Sequence, residues 1–199
     1  MNQSANTKLM QLESDFPTIL WRTLSTPGHE TAKIYGDEGD AWTIDGVSVF
    51  LHEGEPVRLD YLIECDANWK TSYVTVNGWV GDEVVDVEIE VTGGLWIMNG
   101  EEVAGVERCT DIDLNFSPVT NTIPIRRLDL KTGESKTVRA AWLRFPSFQL
   151  EVLEQTYTRV DEVTVKYEAA SGFTASLTVN EDGMVTHYPD GWTIETDHP

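Results

Sequence analysis

The clearest pattern along the chain is the run Val84 to Val91, in which Val85, Val87, Ile89 and Val91 alternate with Asp86, Glu88 and Glu90. Side chains two apart share one face of a strand, so this run predicts a strand with one buried and one solvated face. Similar stretches recur. Pro17–Ser25 and His29–Tyr35 flank a Thr26-Pro27-Gly28 turn, and Pro56–Asp66 follows as a further strand. Asp45-Gly46 and Asn99-Gly100 have the form of two-residue hairpin turns, which predicts pairing of Trp42–Ile44 with Val47–His52 and a hairpin after Leu95–Met98. In the run after Ala67, Trp69, Thr71, Tyr73 and Thr75 fall on one face and Lys70, Ser72, Val74 and Val76 on the other. Ser135–Phe145, Gln149–Arg159, Val163–Tyr167, Phe173–Val179 and Met184–Tyr188 complete the set, separated by Gly-containing turns. Strands at this spacing, with no long apolar period of 3.6 residues, predict an all-β protein with little helix. Polar groups on both faces suit a barrel or half-barrel wall, one side of which lines a cavity.

Length adds the domain count. With 199 residues, the chain reads as a flexible N-terminus over 1–15 and a single domain over 16–199, large enough to need no disulfide staple. Its formal net charge of -20 at pH 7 opposes phosphate backbones and anionic membrane surfaces, so nucleic acid is not an expected partner. The acid is spread along the chain and reads as a solvated surface, of the kind that suits a high-salt cytoplasm. No basic region precedes an apolar one at the N-terminus, and no run has the length of a membrane span, so a cytoplasmic protein is expected. In that compartment Cys65 and Cys109 are expected as free buried thiols. The four histidines stand singly and form no zinc pattern, so neither metal nor cofactor is expected.

The densest cluster of unusual residues is Cys109 to Leu128, C-T-D-I-D-L-N-F-S-P-V-T-N-T-I-P-I-R-R-L. If Thr110–Leu114 is extended, Asp111 and Asp113 point the same way about 6.5–7 Å apart, a spacing open to metal binding, to acid/base work or to a structural ion pair. Such close carboxylates raise each other's pKa unless a cation intervenes, and Arg126 and Arg127 are the candidates, on a strand returning after a rigid loop between Pro118 and Pro124. Thr120, Asn121 and Thr122 in that loop can bond local backbone or wall a polar pocket. Seven tryptophans exceed what a small core requires, so some could pave a groove for acyl chains or sugar rings. No Gly-x-Ser-x-Gly turn or Gly-rich phosphate loop occurs, which leaves hydrolase and kinase chemistry unsupported. Asn115-Phe116-Ser117 has the form of a glycosylation sequon, but Pro118 follows it and no secretory signal accompanies it.

Arg58–Thr71 (R-L-D-Y-L-I-E-C-D-A-N-W-K-T), Asp111–Leu128, Gln155–Thr158 (Q-T-Y-T) and Phe173–Pro189 together resemble the bacterial and archaeal glycolipid-binding family, formerly a domain of unknown function. The resemblance implies a curled antiparallel sheet, a spiral β-roll or half-barrel similar to carriers of bacterial lipoproteins, whose concave side accepts lipid. It thus implies a non-catalytic binder of a glycolipid or similar amphipathic lipid. On that reading Trp69, Tyr73, Trp96 and Trp142 line an apolar part, and Asp113, Asn121, Arg126 and Arg127 orient a polar head. Asp111, Pro118 and Pro124 then act as a structural keystone. An enzyme acting on a glycosyl or acyl substrate through Asp111 and Asp113, and a structural or protein-interaction module, remain the alternatives.

Overall fold

The computed structural model describes residues 16–36 and 41–196; the expected flexible segment 1–15 lies outside them. Among the described residues fifteen strands form a single sheet that curls without closing. The first half is a meander: β1 (Thr18–Thr23), β2 (Gly28–Gly36), β3 (Trp42–His52), β4 (Glu55–Cys65), β5 (Thr71–Val80), β6 (Glu83–Thr92), β7 (Leu95–Met98) and β8 (Glu101–Glu102). The second begins with β9 (Asp111–Leu114), crosses through a 3-10 turn (Pro118–Asn121) and helix α1 (Thr122–Leu128), and continues with β10 (Ser135–Arg144) and β11 (Gln149–Arg159). β12 (Thr164–Ala169), β13 (Thr174–Val179), β14 (Val185–Tyr188) and β15 (Trp192–Ile194) complete it. β15 pairs with β1, so β8 and β9, consecutive in sequence, stand at opposite ends of the sheet.

The expected all-β half-barrel is therefore present, antiparallel in every strand pair except β9–β10, which runs parallel. That pair needs a crossover, and the crossover is helical. Here the structure corrects the expectation of a loop followed by a returning strand. Ser117 caps the 3-10 turn, its Oγ accepting from the Val119 N–H at 3.1 Å. Pro124 stands in the first turn of α1, where a missing N–H breaks no intrahelical bond. Arg126 and Arg127 occupy its last turn, the end where positive charge is favoured.

Two further corrections concern the first half. Asp45-Gly46 is no turn: β3 runs through it, with Gly46 beside Ala32 on one side and Tyr61 on the other. A Cβ on Gly46 would lie 2.4 Å from the Tyr61 ring, so the glycine marks the close passage of a ring over the strand. Trp69 does not belong to β5. It sits in a turn with φ 59°, held by Asp66, whose Oδ1 accepts from the Asn68 and Lys70 amides at 2.9 Å each. The register then shifts at Glu64/Cys65, so Thr71 turns inward while Tyr73 stays outward. The Asn99-Gly100 hairpin forms as expected, joining β7 to β8.

The inner face of the first half (Trp21, Ile34, Ile44, Leu59, Ile63, Val76, Ile89, Trp96) packs against Ile112, Leu114, Ala141 and Leu143 of β9 and β10. The other face of the second half packs Val138, Tyr157, Val165, Tyr167 and Leu177 around Ile125. β9 and β10 are thus covered on both faces, and α1 joins the two cores through Ile123 and Ile125. Cys65 and Cys109 are both free and buried. The free edge of β9 is sealed by threonines: the Ile112 N–H donates to Thr71 Oγ1 at 3.0 Å and the Leu114 N–H to Thr120 Oγ1 at 3.4 Å. The opposite edge, β8, consists of two exposed glutamates.

Candidate functional site

Alternation decides what faces the inside of the second half. Asp113 lies opposite Trp142 across the β9–β10 pair, and paired residues share a face. Leu153, Gln155, Tyr157, Tyr167 and Ala169 extend that face across β11 and β12. Between these strands and the 188–192 turn lies a cavity of about 310 Å³. Its walls are aromatic: Trp142, Tyr167, Phe173, Tyr188 and Trp192. Phe173 and Tyr188 stack with centroids 6.1 Å apart, and Tyr188 meets Trp192 edge-on at 5.5 Å. Asp113, Asn115, Ser117 and Asn121 form the polar side.

A directional hydrogen-bond chain backs this polar side. Asn121 Nδ2 donates to Tyr157 Oη at 2.9 Å, Tyr157 donates to Gln155 Oε1 at 3.0 Å, and Gln155 Nε2 donates to Asp113 Oδ2 at 2.5 Å. Every donor points toward the carboxylate, which is therefore the terminal acceptor. Asp113 Oδ1 takes no hydrogen bond among the described residues. Burial pushes the Asp113 carboxyl up to about 6, against the opposing effect of the Gln155 bond. Burial, and after it the nearby Asp113 charge, raises the Tyr188 hydroxyl, and the Tyr167 hydroxyl is raised from the same two causes.

Behind Ser117 lies a second buried carboxyl. Glu30 is 1% exposed, faces Ser48 across the β2–β3 pair, and accepts from Tyr61 Oη at 2.6 Å and from the Ser117 hydroxyl. With no cation beside it among the described residues, burial lifts its pKa to about 8 despite those bonds.

The sequence-derived candidates separate into distinct places. Asp113, Asn121 and Trp142 meet at the cavity. Arg127 does not: its Nε and guanidinium N–H donate to the two oxygens of Asp111 at 2.9 and 2.5 Å, a bidentate pair in which Asp111 is 1% exposed. Asp111 and Asp113 thus do not open together into one site. Arg126 donates from Nε to the Asp182 carbonyl at 2.5 Å and lies over Trp69 and Trp42, 4.8 and 5.5 Å from their centroids. Trp96 is fully buried, its N–H reaching the Cys109 carbonyl at 3.4 Å. Tyr73 bonds Glu88 on the outer face at 2.6 Å. Glu30, Gln155, Tyr157, Tyr167, Tyr188 and Trp192 were not singled out as site residues from sequence. Some of them carried a signal: Gln155 and Tyr157 fall in the Gln155–Thr158 run and Tyr188 in Phe173–Pro189, both part of the family resemblance, and Trp192 is one of the seven tryptophans. Among the described residues no group of three His, Cys, Asp or Glu converges as a metal site would require.

A family model described as "Putative glycolipid-binding" matches residues 18–193. The crystal structure of a DUF1089 family protein from Pseudomonas aeruginosa is 31% identical and superposes with a TM-score of 0.69, covering 80% of this chain and 89% of that one. A β-barrel-like protein of the DUF1849 domain from Brucella abortus is 10% identical, with a TM-score of 0.54 over 89% of this chain and 94% of that one, a likeness of fold alone. No curated protein matches the chain.

Proposed function

The chain belongs to the glycolipid-binding family, and from that footing we propose that it is a non-catalytic binder of an amphipathic lipid whose polar head enters the cavity of the second half. The observation that carries this reading is the cavity itself, with aromatic walls on one side and a half-buried, networked carboxylate on the other. Small-molecule sites have this form, an apolar concavity with a few convergent polar groups. A second depression of about 430 Å³ shares Asn115 and Trp192 with the cavity and adds Phe50, Leu51, Phe116 and Phe145. Thr23, Ser25, Thr26, His52 and Glu53 line the rest of that depression, so its phenylalanine side is the part that offers an acyl chain apolar surface next to the head. Among the described residues no helix is long and apolar enough to cross a membrane.

Catalysis through the Asp111 and Asp113 pair has less support, because Asp111 is held by Arg127 and of the two only Asp113 borders the cavity. Native mass spectrometry of protein recovered from its own host tests the proposal. A co-purifying lipid, with a saturable change in tryptophan fluorescence when lipid is returned to stripped protein, is the expected result. Repeated recovery of ligand-free protein, with no fluorescence response across a lipid panel, would overturn it.

A further inference from the structure

The charge around the cavity is one-sided. Its ionisable lining consists of Asp113, Tyr167, Tyr188 and Asp190, and none of the described residues lining it is Lys, Arg or His. The nearby cations are committed elsewhere. Arg127 is paired with Asp111, and Arg126 with Asp182 and the two stacked tryptophans. Arg144 lies over the Trp142 ring at 4.9 Å and pairs with Glu151 at 3.2 Å. The hydrogen-bond chain that starts at Asn121 ends on an acceptor, the Asp113 carboxylate, and the donors that share the lining, Asn115, Ser117, Asn121, Tyr167 and Tyr188, are all uncharged.

We infer that the cavity selects an uncharged polyol head, a sugar bearing no phosphate, sulfate or carboxylate. The inference rests on the reading that this cavity holds the ligand's head. Ligand hydroxyls donate to the free oxygen of Asp113, and a sugar ring lies against the aromatic wall, where stacking on a flat face needs no charge. An anionic head would bring like charge against a half-buried carboxylate with no counter-ion among the described residues, an arrangement that costs several-fold to many-fold in affinity. Above its raised pKa of about 6, Asp113 carries the charge that enforces this selection; below it, the neutral carboxyl relaxes it.

The experiment compares dodecyl glucoside with dodecyl glucuronide, which share chain and ring and differ by one carboxylate, in titrations of the full chain followed by tryptophan fluorescence. At about pH 8 the glucoside is expected to bind at least about tenfold more tightly. The gap should narrow at about pH 5, where the glucuronide is still ionised but Asp113 is not. It should also narrow in Asp113→Asn at about pH 8, with thermal unfolding checking that the variant is folded. Equal or tighter binding of the glucuronide by the wild type would overturn the inference and leave the lipid reading standing. Binding of neither probe would overturn the inference as well, and the lipid reading would then stand or fall on the native mass spectrometry and the lipid panel.

Discussion

Ser117 and Glu30, 87 positions apart in sequence, share a buried hydrogen bond that ties the 3-10 turn at the cavity to strand β2. Because Glu30 ionises near 8 in the fold and near 4.5 when unfolded, its contribution is full below about 4.5 and falls as pH rises through 8. Between about pH 6 and 8 this group alone should remove about 2 kcal/mol of stability. Glu30→Gln should flatten denaturant-measured stability across that interval and exceed the wild type at about pH 9. An unchanged slope would show that Glu30 does not carry the proton.

Breaking the Asp111–Arg127 pair leaves a carboxylate buried without its cation. Arg127→Ala should cost about 3–5 kcal/mol, lowering the Tm by roughly 6–20 °C for a domain of this size. Because Asp111 lies outside the cavity lining, any variant that stays folded should keep its ligand affinity. A loss of affinity without a fall in Tm would move Arg127 from the scaffold into the site.

Gly46→Ala places a methyl 2.4 Å from the Tyr61 ring and 2.7 Å from the Thr31 carbonyl. Tyr61 cannot retreat without leaving Glu30, so the overpacking should cost about 2–3 kcal/mol. Urea unfolding would measure it, and stability within about 0.5 kcal/mol of wild type would mean the ring has room to move.

Trp142 is only half-buried and flanks the cavity opposite Asp113. Trp142→Ala should weaken binding of dodecyl glucoside by at least about fivefold, since one aromatic contact is worth about 1 kcal/mol or more. Trp96→Ala removes a fully buried core ring and should instead act on stability, by about 3–5 kcal/mol.

A formal net charge of -20 makes self-repulsion a cost that salt relieves. The Tm should rise from low to molar potassium chloride. A flat or falling profile would end the proposal that the acidic coat is an adaptation to high salt.

The alternation of Val85, Val87 and Ile89 against Asp86 and Glu88 was enough to place β6, and the pairing of an Asp with an Arg of Cys109–Leu128 was also readable. Most of what was hidden follows from one cause. Periodicity reports which face a residue occupies, but not what the sheet's curl brings against it. Gly46 reads locally as a turn because the Tyr61 ring that requires it lies on another strand. Arg126 and Arg127 read as strand because α1 is only seven residues long, too short to show a helical period. Tyr167, Tyr188 and Trp192 look like ordinary core aromatics, and only the roll turns them toward Asp113. Of the expected head-binding residues, Asp113 and Asn121 reach the cavity while the two arginines are held elsewhere, because sequence shows the charge and not its partner.

The two ends of the sheet also differ in how they meet neighbouring molecules. A bare strand edge is a template on which another chain can polymerise. At β9 that template is already occupied, its amides satisfied by Thr71 and Thr120 hydroxyls. At β8 it is two residues long, and any chain docking there would press against Glu101 and Glu102. The same few threonines and glutamates that finish the roll thus also discourage strand addition at its two terminal strands.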